Sequence, residues 1–149
     1  MVDLELFDGE GQGFIMGKAG SPASNRAIEM ISFKSWISES RKVEPLTGDK
    51  DVFGDGSVIV LRMPGHTPGH SCLLVRLKDM GPVLLTGDLV HFRENYESGG
   101  VPSFNVDRAA TVASIERMKQ IVANLKATVV IQHDKRDIGK LPAFPAAAK

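Results

Sequence analysis

The segment Pro64-Gly65-His66-Thr67-Pro68-Gly69-His70 restricts the fold of this chain more than any other. Two prolines fix φ and two glycines admit backbone that other residues avoid, so a helix or strand cannot run through it. It reads as a stiff connection between two elements. Before it, Val58 to Met63 is rich in β-branched residues and follows Gly54-Asp55-Gly56, a turn signal, which predicts a strand entered from a hairpin. After it, Cys72 to Leu77 predicts a second strand and Val83 to Thr86 a third, with Asp79-Met80-Gly81-Pro82 as the turn between them. Three strands in about 30 residues with short connections predict an antiparallel meander.

From Asp88 to Val106 the chain is polar and aromatic, too long for an ordinary connection, and so predicts a functional loop able to wall a pocket. Between Asp107 and Lys126 the apolar residues Val112, Ile115, Met118, Val122 and Leu125 recur at spacings of three and four. That period predicts an amphipathic helix, with Arg108, Glu116, Arg117 and Lys119 on its solvated side. Thr128 to Gln132 predicts a last short strand whose end delivers His133 and Asp134. Upstream, Ala27 to Ile37 reads as a helix capped by Ser24 or Asn25. The glycine-dense run Gly9 to Ser21 reads as a turn-rich hairpin or as poorly ordered chain.

A chain of 149 residues suffices for one domain with a hydrophobic core. Its 42% hydrophobic and 24% charged residues are those of a soluble globular protein. Lys plus Arg and Asp plus Glu both number 18, so no bulk field draws in nucleic acid, and no such partner is expected. The first eight residues hold Asp3, Glu5 and Asp8 and no long apolar run follows, which argues against a secretory signal or membrane span. A cytoplasmic location is the expectation. The single cysteine, Cys72, cannot form an internal disulfide, and in the run Cys72-Leu73-Leu74-Val75 a thiol packs as a small hydrophobe.

Three strand ends carry the groups suited to chemistry. Two of the four histidines, His66 and His70, fall within five residues in the stiff turn, where an imidazole would be held for metal ligation. The alternative is a turn that happens to contain two histidines. Leu84-Leu85-Thr86-Gly87-Asp88 ends a buried strand in a carboxylate, which can bridge two cations or simply serve the turn. Val129-Val130-Ile131-Gln132-His133-Asp134 ends another strand in a histidine. Strand ends presenting His, Asp and His make a coherent ligand set.

These motifs in this order resemble the later metal ligands of the metallo-β-lactamase superfamily, from about Lys42 to Pro145. Val52-Phe53-Gly54-Asp55-Gly56-Ser57 and the helix after Asp88 are similar to the N-acyl-homoserine lactonase branch. The resemblance implies an α/β fold, the αβ/βα sandwich of that superfamily, of which this chain would supply the second half. Residues 1–41 would form a divergent or truncated N-terminal segment, and 42–149 the C-terminal part of the domain. It implies His66, Asp88 and His133 as metal ligands, Asp88 bridging; His70 reads as a support behind them or a stabiliser of the turn, with His70 or His91 as ligands that could be recruited. Phe92, Tyr96 and Phe104 would wall a substrate pocket for an acyl chain, or pack the loop onto the domain.

Two departures accompany the resemblance. The superfamily's H-x-H-x-D-H motif is absent, and no histidine precedes His66, so four of seven implied ligands have no counterpart. The tyrosine that such lactonases carry three residues after the bridging Asp is here His91, placed with Asp88 among the catalytic candidates; the only tyrosine is Tyr96. The implied activity is opening of a lactone or ester by metal-activated hydroxide, impaired unless the site is completed. The implied cofactor is zinc, one or two ions in a completed site or none in this chain. A half-sandwich would expose an apolar sheet face, so a homodimer or a completing N-terminal segment is expected to cover it. A binding domain that kept the scaffold without the chemistry, or a thioester or phosphodiester hydrolase of the same superfamily, are the alternatives.

Overall fold

A computed structural model describes residues 46–143 and 145–149. The expected helix Ala27–Ile37, the run Gly9–Ser21 and the boundary at residue 41 lie outside the described residues.

Five strands form one sheet in sequence order: β1 (Lys50–Asp51), β2 (Val58–Arg62), β3 (Ser71–Leu77), β4 (Gly81–Leu85) and β5 (Thr128–Val130). The first four pair antiparallel, the meander that the turn spacing predicts, and β5 joins β4 in parallel. A parallel partner needs a long crossover, and the chain between β4 and β5 provides it. This crossover holds a 3-10 turn at Gly87–Leu89, the short helix α1 (Arg93–Ser98) and the long helix α2 (Arg108–Leu125). The stretch from Asp88 to Val106, read as one loop, is therefore partly helical. Asn95 holds α1 at both ends: its Oδ1 accepts from Phe92 N–H at 3.2 Å and its Nδ2 donates to Gly100 O at 3.2 Å. Gly99, at φ 70°, then stops the helix.

Alternation along the strands gives the sheet two apolar faces. Register aligns Ile59 with Leu74 and Leu74 with Leu84, and Leu61 with Cys72. These residues join Met63, Leu89, Val90, Ile115, Met118 and Ile131 in the core beneath α2. The opposite parity places Val58, Val60, Leu73, Val75, Val83, Leu85 and Val130 on the other face.

The boundaries of α2 are set as its sequence predicts. The Asp107 carboxylate accepts from Ala110 N–H at 2.9 Å, and Lys126 leaves the helix at φ 52°. The buried side differs from the one the apolar period picks out. Val112 is exposed, whereas Thr111 and Ser114 are buried with Ile115 and Met118. Both hydroxyls find backbone acceptors, Thr111 at Asp107 O (2.6 Å) and Ser114 at Pro64 O (2.7 Å), so polar side chains occupy the interface without loss. Arg117 is likewise drawn off the solvated side, donating to Arg62 O at 2.9 Å and pairing with Asp49.

Candidate metal centre

The Pro64–His70 turn is clamped between its flanking strands and α2. Met63 N–H donates to His70 O at 2.9 Å, closing the turn at its base. Asp107 N–H donates to Gly65 O at 2.9 Å and Val106 N–H to His66 O at 3.2 Å, so the start of α2 is tied to the turn's backbone. Gly65 adopts φ 136°, and a Cβ there would lie 2.3 Å from Thr111 N. Only glycine lets the two backbones approach this closely.

This contact orients His66, which is buried. Thr111 Oγ1 donates to Asp107 O and therefore accepts from Asn105 Nδ2 at 3.1 Å. The Asn105 amide is thereby turned so that its Oδ1 faces His66 Nδ1 at 3.2 Å, and Nδ1 must carry a proton. Nε2 of His66 then meets Asp88 Oδ2 at 3.3 Å, a contact that is attractive only when a proton or a cation sits at Nε2.

His70 points to a different task. Its Nδ1 donates to Met63 O at 3.0 Å and its Nε2 accepts from the backbone N–H of Asp88 at 2.9 Å. Both ring nitrogens are engaged with backbone, and burial pushes its pKa down to about 4. His70 is thus a neutral strut between the turn and the Gly87–Leu89 segment, against which Gly87, at φ 54°, packs directly.

Asp88 sits between two imidazoles. His66 Nε2 faces its Oδ2, and His133 Nε2 lies 2.5 Å from its Oδ1. Hydrogen bonding to His66, and next to His133, holds this carboxyl well below the usual carboxylate range although partial burial opposes it. His91 is stacked on His133 with centroids 5.1 Å apart and planes 18° from parallel, and its ring centroid lies 5.6 Å from that of His66. Burial lowers the pKa of His91. Its Nδ1 is buried and has no hydrogen-bond partner among the described residues. Donor atoms of Asp88, His91 and His133 all lie within 4.8 Å of one another.

The segment that delivers His133 is pinned behind the site. Asp137, buried, accepts from Ile131 N–H at 2.9 Å and pairs with Arg93 and Lys140. Asp134, also buried, accepts from Arg93 N–H at 3.0 Å and pairs with Arg136. Gln132 Oε1 accepts from Gly87 N–H, joining the ends of β4 and β5 directly.

Four sequence-derived candidates therefore surround one carboxylate: His91 and His133 group with Asp88, and His66 meets its other oxygen, with His70 behind them. Phe104 packs edge-on against His66 and His91 at 6.0 and 5.4 Å. Phe92 is exposed. Tyr96 leans on the core, with Lys119 Nζ 5.8 Å from its ring centre. Asn105, which sets the His66 tautomer, and Asp137, which anchors the segment before His133, carry contacts to the site that the sequence did not single out. Imidazole and carboxylate groups at these positions fit a divalent first-row cation. The orphaned Nδ1 of His91 and the His66–Asp88 contact are both polar positions that a cation would satisfy.

Residues 9–133 match the family model of the metallo-beta-lactamase superfamily. The chain belongs to that superfamily. Among the proteins it is similar to are several N-acyl homoserine lactonases. It is 39% identical to the lactonase AttM of Rhizobium radiobacter over 99 residues, covering 64% of this chain and 38% of that protein. With an N-acyl homoserine lactonase of a Bacillus species it shares 38% identity over 131 residues, covering 88% of this chain and 50% of the relative. The chain thus spans half or less of the length of these relatives. In three dimensions it is similar to an N-acyl homoserine lactone hydrolase solved with N-hexanoyl-L-homoserine at its catalytic metal centre. That similarity has a TM-score of 0.62 at 33% identity and covers 69% of this chain and 40% of the other. A dizinc quorum-quenching lactonase, AidC, shares the fold at 21% identity with a TM-score of 0.56, covering 79% of this chain and 40% of the other.

Proposed function

We propose that this chain carries part of the metal centre of a lactonase-type hydrolase, with His66, Asp88 and His133 as ligands to zinc, and acts on a small lactone or ester such as an N-acyl homoserine lactone. The observation that carries this reading is the convergence of three strand ends on one carboxylate, with His66 at Oδ2 and His133 at Oδ1. A cation held there would supply Lewis acidity and an acidified water at neutral pH. The chain's own residues do the positioning. Asp88 stays ionised at neutral pH and keeps both oxygens turned to imidazoles. Asn105 keeps the proton of His66 on Nδ1, and the His70 strut fixes the backbone of Asp88. Burial lowers the pKa of His91, which favours its neutral form beside Asp88 and His133. Phe104, edge-on against His66 and His91, offers apolar surface beside the site for an acyl chain, with the exposed Phe92 as a further candidate.

A second reading is favoured by one fact of the sequence: no histidine precedes His66, so the H-x-H-x-D-H ligands have no counterpart. On that reading the chain is a scaffold that binds without catalysis, unless a second copy or another segment completes the site. Elemental mass spectrometry of protein purified without chelator, together with its mass in solution and hydrolysis of N-hexanoyl homoserine lactone, separates the two. Bound zinc with ring opening supports the hydrolase, and bound zinc lost in both His66→Ala and Asp88→Ala supports the site. Binding retained in both variants would sink the ligand assignment, and metal-free inactive protein supports the scaffold reading.

A further inference from the structure

We propose that His91 is a metal ligand, so that Asp88, His91 and His133 hold one divalent first-row cation as a two-histidine, one-carboxylate set, with His66 at the far oxygen of the same carboxylate. The inference rests on the metal-binding reading above and goes beyond it by assigning the residue that stands three positions after Asp88.

Three observations carry it. First, donor atoms of the three residues lie within 4.8 Å of one another. Ligands around a tetrahedral zinc ion, each about 2.0–2.1 Å from the metal, are separated by about 3.3 Å. Small side-chain rotations close the difference. Second, Nδ1 of His91 is buried without a hydrogen-bond partner among the described residues. A buried polar atom left in that state costs about 1–3 kcal/mol, and ligation through this nitrogen would remove the cost. Third, the His91 and His133 rings are nearly parallel at 5.1 Å, with Phe104 edge-on against His91 at 5.4 Å. Packing on both sides restrains the ring beside the carboxylate, so little further ordering is needed when a cation enters.

The other histidines have other tasks. His70 spends both nitrogens on backbone groups. His66 faces Oδ2, while His133 is on Oδ1. His91 therefore gives the His133 side of Asp88 a third protein ligand. Open coordination positions would be left for water or substrate oxygen.

The test uses the full chain, stripped by chelator and titrated with Zn²⁺, while ¹⁵N–¹H spectra of the imidazole groups are recorded. His91 and His133 ring nitrogens are expected to shift together to metal-bound positions. The zinc affinity of His91→Phe should fall by more than about 100-fold, beyond what loss of an outer hydrogen-bond partner costs. An unmoved His91 signal, or unchanged affinity in a folded His91→Phe, while Asp88→Ala abolishes binding, overturns the assignment of His91 and leaves the metal reading standing. Absence of zinc binding by the parent chain overturns both. Should His91→Phe fail to fold, the spectra of the parent chain decide.

Discussion

The backbone N–H of Asp88 donates to Nε2 of His70 at 2.9 Å, so the carboxylate at the centre of the site is positioned by a histidine whose two ring nitrogens are both taken up by backbone groups. The other nitrogen of His70 donates to Met63 O, which ties the end of β2 to the end of β4 through one imidazole. The bond requires a neutral ring. A proton at Nε2 would replace an acceptor with a donor facing a donor.

This gives His70 a defined effect on stability against pH. Its folded pKa lies at about 4, mainly through burial, while an unfolded histidine titrates near 6.5. Between these values the unfolded chain binds the extra proton, so stability is fully present above about pH 6.5 and falls as pH drops towards 4. A shift of this size corresponds to roughly 3 kcal/mol. Urea unfolding of metal-free protein from pH 4 to 8 should show the slope, and His70→Gln should flatten it. An equal slope in both proteins would show that His70 is not the group responsible.

Two glycines should respond unequally to alanine. At Gly81, φ is 73° and a Cβ meets nothing within 4 Å, so Gly81→Ala bears only the left-handed backbone penalty, about 1 kcal/mol. At Gly65 the same change drives a Cβ into the backbone of Thr111, and α2 must move off the turn. Gly65→Ala should cost at least about 2 kcal/mol more in chemical denaturation. It should also weaken zinc binding, because His66 follows directly.

Much of this arrangement is legible in the sequence. The β-branched runs and the Pro64–His70 turn predict β2 and β3, and strand ends place His66, Asp88 and His133 where they meet. The helix face was less legible, because an apolar period counts Val112 as core and passes over Thr111 and Ser114, whose burial depends on acceptors at Asp107 and Pro64. Asn105 carried no signal. It lies in an irregular stretch, and its task arises only when α2 closes on the turn.

Asn105→Leu tests that closure. The change removes the acceptor at His66 Nδ1 and the donor to Thr111, whose hydroxyl keeps only its bond to Asp107 O. Stability should fall by about 1–3 kcal/mol. The His66 tautomer should no longer be fixed, and zinc affinity should drop by about 10–100-fold, as loss of an outer hydrogen-bond partner does. Calorimetric zinc titration and histidine ¹⁵N spectra would report both; an unchanged tautomer with unchanged affinity would remove Asn105 from the site.

Cys72 makes the opposite prediction. The thiol is buried beneath the helix, donates to Thr86 O at 3.2 Å, and is pushed far above its ordinary pKa by burial. A thiol reagent should react only as fast as the protein unfolds. Cys72→Ala should leave zinc affinity unchanged, and rapid labelling of the native protein would contradict the burial.

Asp137 links stability to the site from a distance. Its buried carboxylate accepts from Ile131 N–H, two residues before His133, and joins Arg93, the first residue of α1, and Lys140. Asp137→Ala leaves that N–H without its acceptor and Arg93 and Lys140 without their carboxylate, though Arg93 keeps Arg136 O and Lys140 keeps Val129 O, at a cost of about 3 kcal/mol, moderated by the partial exposure of both cations. Because the lost bond lies in the segment that sets the reach of His133 toward Asp88, zinc affinity should fall as well, even at temperatures where the variant is fully folded. Denaturation and zinc titration on the same sample separate these effects. A destabilised variant with parental zinc affinity would mean that the anchor supports the fold alone, and that His133 is positioned by its contacts with Asp88 and His91.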